Sequence, residues 1–93
     1  MPVNKRFHAF YSGSVQGIGF RFTAERLASS LGIKGWVSNL SDGRVELVCE
    51  GKGPALDEFL KKISDVFGAY MREADIRPEE VTGEFQDFDI RFG

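Results

Sequence analysis

Apolar and polar residues alternate along several short stretches of the chain, and along two longer stretches apolar residues recur at helical spacing. The alternation over Phe7–Ser12 predicts a strand that places three residues on one face: Phe7, Ala9 and Tyr11. From about Arg21 to Leu31 apolar residues return every three or four positions, which predicts a helix. Gly32 suits the left-handed position that ends such a helix.

The next segment predicts a β-hairpin. Ile33–Ser38 and Arg44–Glu50 each have the composition of a strand, and the Asp42-Gly43 sequence between them is typical of tight turns. In the second of these strands Val48 is the one apolar residue on the otherwise polar face.

A second helix and two strands complete the pattern. The helix begins at Pro54, carries an apolar stripe and ends at Gly68, and the strands cover Tyr70–Pro78 and Phe88–Phe92. The order βαββαβ is that of a ferredoxin-like α/β sandwich, in which two helices cover one face of an antiparallel sheet of four to five strands. We therefore expect a single domain over residues 1–93.

Composition narrows the classes of function. Twelve Lys and Arg against 14 Asp and Glu give a net charge of −2, which argues against a broad nucleic-acid-binding surface. Cys49 is the one cysteine and His8 the one histidine, so neither an intrachain disulfide nor a zinc site built on Cys and His is expected. No segment has the roughly 20 apolar residues of a membrane span. We expect a cytoplasmic protein without a metal ion.

The glycine-rich segment between the first strand and the first helix reads Gly13-Ser14-Val15-Gln16-Gly17-Ile18-Gly19-Phe20-Arg21. Its three glycines allow successive backbone N–H groups to point inward, and such a nest binds anions. The helix N-terminus and Arg21 add positive charge at the same place. The segment is neither a Walker A loop nor a dinucleotide-binding loop. It is suited to a phosphate; an ordinary glycine-rich turn beside a surface arginine stays open as the alternative.

Asn39 ends the predicted second strand, and its carboxamide can both donate and accept hydrogen bonds. It could hold a water molecule or a phosphate oxygen, or it could only shape the turn, as Asn often does. His8 and Cys49 are expected to pack in the sheet rather than to react, and Trp36 to close one end of the core.

The two segments together resemble the acylphosphatase family. Residues 13–21 match its first signature, G-x-V-Q-G-V-x-F-R, with Ile18 for the usual Val. The second signature, G-W-V-x-N followed by D-G-x-V-E and a glycine, is matched by Gly35, Trp36, Val37, Asn39, Asp42, Gly43, Val45, Glu46 and Gly51. Residues 82–91 are similar to the family's C-terminal ending, so the resemblance covers nearly the whole chain.

The resemblance implies an enzyme that hydrolyses small acyl phosphates to a carboxylate and inorganic phosphate without a cofactor. It implies that the phosphoryl group is bound by the loop and its arginine, namely Ser14, Val15, Gln16, Gly17, Ile18, Gly19, Phe20 and Arg21. It further implies that Asn39 positions the attacking water, which makes Arg21 and Asn39 the candidate catalytic residues. Inorganic phosphate or sulfate is expected to occupy the same loop. The small size favours a monomer, and neither nucleic acid nor membrane is expected as a partner.

Two departures and two alternatives accompany the resemblance. Ser38 stands where many members have Lys or another long side chain, so the positive charge that a lysine would place beside the site is missing. Phe92-Gly93 ends the sequence where relatives often end on an aromatic residue. An RNA-recognition domain has the same order of elements, but its aromatic strand motif would fall here at a loop-to-helix junction, over residues 19–22. An accessory role on carbamoyl phosphate, as in the fused domains of hydrogenase-maturation proteins, is the other alternative.

Overall fold

Residues 4–92 are described by a computed structural model, in which five strands and two α-helices follow the predicted order. The strands are β1 (Asn4–Gly13), β2 (Lys34–Asn39), β3 (Val45–Lys52), β4 (Met71–Glu79) and β5 (Phe88–Arg91). The helices are α1 (Phe20–Ser30) and α2 (Gly53–Phe67), and a 3₁₀ turn over Gly68–Tyr70 joins α2 to β4. The largest difference in bounds concerns β1, which begins before Phe7 because Asn4 already pairs with Lys52 of β3.

The five strands form one sheet in the order β4-β1-β3-β2-β5. The first four strands pair antiparallel, which confirms the ferredoxin-like prediction for the body of the sheet. The prediction of an antiparallel sheet is wrong for β5, which runs parallel to β2 and makes the sheet mixed. The long connection after β4 crosses to the far edge of the sheet, and this crossing sets the direction of β5.

Both helices pack on one face of the sheet, and the core lies between the helices and the sheet. α2 carries its buried residues at spacings of three and four, so that they form one stripe: Leu56, Phe59, Ile63 and Phe67. α1 turns two alanines, Ala24 and Ala28, toward the sheet, and their small size allows the helix to approach closely. Within residues 4–92 neither helix combines the length and apolarity that a membrane crossing requires.

The other face of the sheet is covered by side chains rather than by helices. Val48 is only 1% exposed there, because its partners in the neighbouring strands are His8 and Trp36. Trp36 was expected to close the core, but it lies on this outer face, where the Arg91 guanidinium stacks 4.5 Å from its ring centroid. Its strand parity explains the difference, since Gly35 and Val37 are the β2 residues buried toward the helices.

Candidate active site

The loop after β1 and the last residue of β2 meet at one end of the sheet. Because β1 and β2 both run antiparallel to β3, which lies between them, they point the same way and finish at the same edge. Tyr11 and Asn39 pair with Val45 from its two sides. The two segments identified in the sequence are therefore neighbours in the fold.

Residues 14–19, here called the cradle loop, connect β1 to α1. The loop is anchored at its start by the Ser14 N–H, which donates to the Tyr70 carbonyl at 2.9 Å, and by the fully buried side chain of Val15. Gly17 and Gly19 have φ angles of +78° and +80°, in the left-handed region that favours glycine. A Cβ at either position would meet open space, so the backbone conformation and not crowding accounts for glycine there.

Helix α1 begins directly at the cradle loop with unpaired donors. The first hydrogen bond of the helix runs from the Thr23 N–H to the Gly19 carbonyl at 3.0 Å. The N–H groups of Phe20, Arg21 and Phe22 therefore have no partner within the helix. The first turn contains no acidic residue and no side-chain cap, so the positive end of the helix dipole is left for an anion.

Arg21 places a permanent positive charge at this helix start. Its side chain is half-buried, and its guanidinium carbon lies 4.8 Å from the ring centroid of Phe92. Arg6, Arg44 and Arg77 are paired with carboxylates, whereas no carboxylate within residues 4–92 lies within ion-pair distance of Arg21. The sequence ends on Phe92 and Gly93, a departure from the usual ending of the family that it resembles, and of these two residues Gly93 lies outside the described residues.

Asn39 contributes an unusual acceptor. Its Oδ1 atom is buried and has no hydrogen-bond partner among residues 4–92. A buried amide oxygen without a partner costs about 1–3 kcal/mol, so such atoms are rare unless a ligand or water satisfies them. The geometry fits a residue that accepts a hydrogen bond from a bound molecule.

The side chain of Gln16 turns away from the cradle. Its Nε2 donates to the Leu40 carbonyl at 2.7 Å and to the Arg44 carbonyl at 2.9 Å, both in the turn that follows Asn39. The sequence suggested Gln16 only as a phosphate-binding residue. Its distance along the chain from Leu40 and Arg44 gave no sign that it would contact the turn.

The glycines of the cradle loop, Arg21 and Asn39 surround one small cavity of about 160 Å³. Its walls come from the cradle loop, the first turn of α1 and the end of β2: Val15, Gly17, Gly19, Phe20, Arg21, Phe22 and Asn39. A larger cavity of about 330 Å³ lies at the opposite end of the sheet, among Lys34, Lys52 and Gly83. The carboxylate that lines that larger cavity, Glu50, is already bound to protein donors.

The structure brings most of the predicted site residues to this cavity, but not all. Arg21 and Asn39 both line it, whereas Ser14, Gln16 and Ile18 lie outside its lining. Ile18 packs against the core instead. Phe22 lines the cavity and was missed; its signal was a large aromatic residue directly after the arginine, at a position that a helical pattern leaves exposed.

The remaining candidate residues lie elsewhere. His8 is on the outer face, where it contacts Glu46 and Glu79 at 2.6 and 2.9 Å. Cys49 is fully buried and packs in the core, and burial raises the pKa of its thiol to about 12. Ser38 lies on the outer face of β2 and does not line the cavity.

The fold and the site thus define a ferredoxin-like α+β protein with a glycine-rich loop, Arg21 and Asn39 around a small cavity at one end of its sheet. The acylphosphatase family model matches residues 7–90. The acylphosphatase of Methylococcus capsulatus is 44% identical over 92 residues, which cover 92% of this chain and 95% of that protein. The acylphosphatase of a Roseiflexus species is 43% identical over 86 residues, covering 91% and 92%. The chain belongs to the acylphosphatase family.

Solved structures agree with this result. The crystal structure of acylphosphatase from Bacillus subtilis is similar at a TM-score of 0.85 and 26% identity, covering 94% of this chain and 98% of that one. Full-length HypF, in its phosphate- and nucleotide-bound form, contains a similar fold at a TM-score of 0.86 and 28% identity. That match covers 98% of this chain but 12% of the HypF chain, so the same fold also occurs as part of a much larger protein.

Proposed function

We propose that the protein hydrolyses small acyl phosphates to a carboxylate and inorganic phosphate without a metal ion. Its active site consists of the cradle loop, the first turn of α1 with Arg21, and Asn39. The reaction class follows from the family. The observation that supports the assignment of residues is that the glycine loop, Arg21 and Asn39 line one cavity. The three provide a positive cradle and a neutral polar group in the same small space.

The phosphoryl group is bound by the N–H groups of the cradle loop and the first turn of α1, together with Arg21. Phosphoryl transfer depends mainly on positioning and on stabilising the charge on the equatorial oxygens. Fixed backbone donors and a guanidinium that can present two parallel N–H groups provide this stabilisation, as an oxyanion hole does. The open Cα positions of Gly17 and Gly19 leave room for the phosphoryl oxygens to approach the backbone.

Asn39 orients the attacking water, because its buried Oδ1 atom can accept a hydrogen bond from that water. The water oxygen attacks phosphorus while the bond from phosphorus to the carboxyl oxygen breaks, and that electron pair leaves with the carboxylate. A carboxylate is a good leaving group and needs no general acid. Since no carboxylate or imidazole within residues 4–92 lines the cavity, a phosphoryl oxygen of the substrate takes the proton released by the water.

The protein acts as a monomer in the cytoplasm in this proposal. The groups that the proposed reaction uses, the cradle loop, Arg21 and Asn39, line one cavity within a single chain. The single cysteine is buried and free, which is compatible with a reducing compartment. Inorganic phosphate, the product, and sulfate are expected to bind the same cradle and to compete with the substrate.

Hydrolysis of benzoyl phosphate in the presence of a chelator tests the proposal. Arg21→Ala and Asn39→Ala should each lower kcat/KM by about 10²–10³, the scale for removing one oxyanion donor. Arg26→Ala is the matched control, because Arg26 is an exposed arginine on the same helix and outside the cavity lining. Its activity should equal that of the wild type.

Each alternative gives a different result. Activity that disappears with the chelator and returns with a divalent cation would contradict the metal-free proposal. Full activity in both Arg21→Ala and Asn39→Ala would show that the residues are wrongly assigned. No turnover by the wild type, with phosphate still bound at the loop, would indicate a domain that has the cradle but not the chemistry.

A further inference from the structure

We infer that Gln16 is a positioning residue that fixes Asn39 relative to the phosphate cradle by locking the cradle loop to the β2–β3 turn. The inference rests on the proposed function, because it concerns how the two halves of that site are held together. Asn39 and the cradle loop belong to different elements, and β3 separates their strands in the sheet. The sheet aligns the two strands through Val45, and a direct link would in addition fix the loop against the turn.

The Gln16 amide provides that link with both of its hydrogens. A primary amide nitrogen carries two donors. One bond goes to the Leu40 carbonyl at 2.7 Å and the other to the Arg44 carbonyl at 2.9 Å. With both hydrogens used, the Gln16 side chain has no donor left for phosphate, and only its backbone N–H can serve the cradle.

The two carbonyls are the ones that close the turn. The Leu40 N–H donates to the Arg44 carbonyl at 2.8 Å, and the Gly43 N–H donates to the Leu40 carbonyl at 3.2 Å. Each carbonyl thus accepts one bond from the turn itself and a second from Gln16. The side chain is attached to both arms of the turn at once.

Asn39 lies directly beside these attachment points. It precedes Leu40 in the chain and pairs with Val45, the residue after Arg44. Any shift of the turn relative to the cradle loop would move the Asn39 amide relative to the bound phosphoryl group. A misplacement of about 1 Å can cost about 10²-fold in rate, since catalysis of this kind depends on placement.

The chemistry of the contact is specific to glutamine. Glutamate has the same length but offers carboxylate oxygens to two carbonyl oxygens, so it would repel them. Asparagine has the amide but is one methylene shorter. Methionine has a similar shape and no donor. These three replacements separate the length of the side chain from its hydrogen bonds.

Kinetics of Gln16→Met and Gln16→Glu test the role, with benzoyl phosphate as substrate and inorganic phosphate as competitive inhibitor. We expect kcat to fall by about 10–100-fold, while the Ki of phosphate changes by less than about 3-fold, because the cradle itself is intact. Gln86→Met is the matched control: this exposed glutamine lies outside the cavity lining and should leave both constants unchanged. A rise in Ki as large as the fall in kcat would place Gln16 in the cradle and overturn the inference.

A double-mutant cycle with Asn39→Ala separates positioning from general damage to the loop. If Gln16 acts through Asn39, Gln16→Met should cost less than about 3-fold in kcat when Asn39 is already alanine. Equal losses in both backgrounds would overturn the inference. Thermal unfolding confirms that each variant is folded, and Gln16→Asn takes the place of Gln16→Met if that variant is not.

An NMR measurement keeps this inference distinct from the proposed reaction. Failure of the wild type to hydrolyse any acyl phosphate would refute the proposed function alone. The side-chain amide resonances of Asn39 would then decide the link: they should shift or broaden in Gln16→Met and stay unchanged in Gln86→Met. Unchanged Asn39 resonances in Gln16→Met would overturn it.

Discussion

At one end of the sheet the buried carboxylate of Glu50 is hydrogen-bonded through both of its oxygens, whereas at the other end several polar groups have no partner within residues 4–92. The paired end is centred on Glu50, which accepts hydrogen bonds from the Arg6 guanidinium at 3.0 Å and from the N–H groups of Thr82 and Gly83 at 3.0 and 3.1 Å. At the cradle end, Asn39 Oδ1 and the first N–H groups of α1 lack such partners.

The hydrogen bonds of the paired end also lower the pKa of its central carboxylate, Glu50. Burial alone would raise the pKa of Glu50, but the hydrogen bonds from Thr82, Arg6 and Gly83 outweigh it and hold that pKa below its ordinary value. Arg6 is shared with Glu79 and Glu84 as well, at 2.8 Å each. Polar groups that are satisfied within the protein stabilise the fold and leave nothing for a ligand. The cradle end gives up some of that stability to keep its donors and acceptor available.

The largest effect on activity should come from Asn39→Leu, which replaces the Asn39 amide by an apolar side chain of similar size. We expect kcat/KM to fall by about 10²–10³ because the water loses its acceptor. The free energy of unfolding should rise by about 1 kcal/mol, because a buried oxygen without a partner is removed. Benzoyl phosphate kinetics and urea unfolding measure the two quantities. A variant that is both inactive and clearly less stable would contradict this contrast between the two ends.

Glu50→Ala should give the opposite result. Removing the buried carboxylate leaves Thr82, Gly83 and part of the Arg6 guanidinium without an acceptor, and we expect the free energy of unfolding to fall by about 2–3 kcal/mol. The kcat/KM of the folded fraction should stay at the wild-type value. Glu80→Ala is the control for urea unfolding, because Glu80 is an exposed glutamate in the connection between β4 and β5, which also contains Thr82 and Gly83. Loss of activity in folded Glu50→Ala would show that the two ends are not independent.

His8 should make the stability of the outer face depend on pH. Burial opposes the imidazolium, but the hydrogen bonds to Glu79 and Glu46 outweigh it and raise the pKa of His8 above its ordinary value of 6.5. The stabilisation is therefore fully present below pH 6.5 and is lost as the pH rises through the raised pKa.

Urea unfolding on both sides of that window measures this dependence. The free energy of unfolding of the wild type should decline as the pH rises from about 6 to about 9, and the decline should be smaller in His8→Gln. Equal declines in the two proteins would contradict the assignment to His8. The kcat of the His8→Gln variant should match the wild type at each pH, since His8 lies outside the cavity lining.

Phe92→Ala should have the smallest effect, and it tests how firmly Arg21 is held. The ring under the guanidinium is 72% exposed, so the cation–π contact contributes about 0.5–1 kcal/mol. We expect a rise in KM of about 2–5-fold with little change in kcat. Phe92→Tyr, which keeps the aromatic face, should restore the wild-type KM; a failure to do so would mean that the ring does not position Arg21.

The order of elements and the core could be read from the sequence, because the periodicities of two and of three to four residues reflect which side of each element is buried. The direction of β5 could not, since an edge strand of four residues has the same pattern in either orientation. Trp36 was misplaced because an aromatic residue suggests a core. Trp36 lies between Gly35 and Val37, whose side of the strand faces the helices, so its own side chain faces the outer surface of the sheet. The size and apolar character of the residue alone do not reveal this.

The site was predictable in part. The glycines, Arg21 and Asn39 lie within two short motifs, and the parallel course of β1 and β2 brings those motifs together. The hydrogen bonds of Gln16 to Leu40 and Arg44 join residues 24 and 28 positions apart, and nothing in the local sequence encodes them. The partnerless oxygen of Asn39 depends in the same way on what surrounds it in three dimensions.

The most direct test of where the phosphoryl group binds is an NMR titration of the ¹⁵N-labelled protein with inorganic phosphate. The amide resonances of Gly17, Ile18, Gly19, Phe20 and Arg21 should shift together with one dissociation constant, and the shifts should be lost in Arg21→Ala. Resonances around the larger cavity, at Lys34 and Lys52, should stay still. Shifts confined to that opposite end, with the cradle loop unchanged, would contradict the assignment of the site.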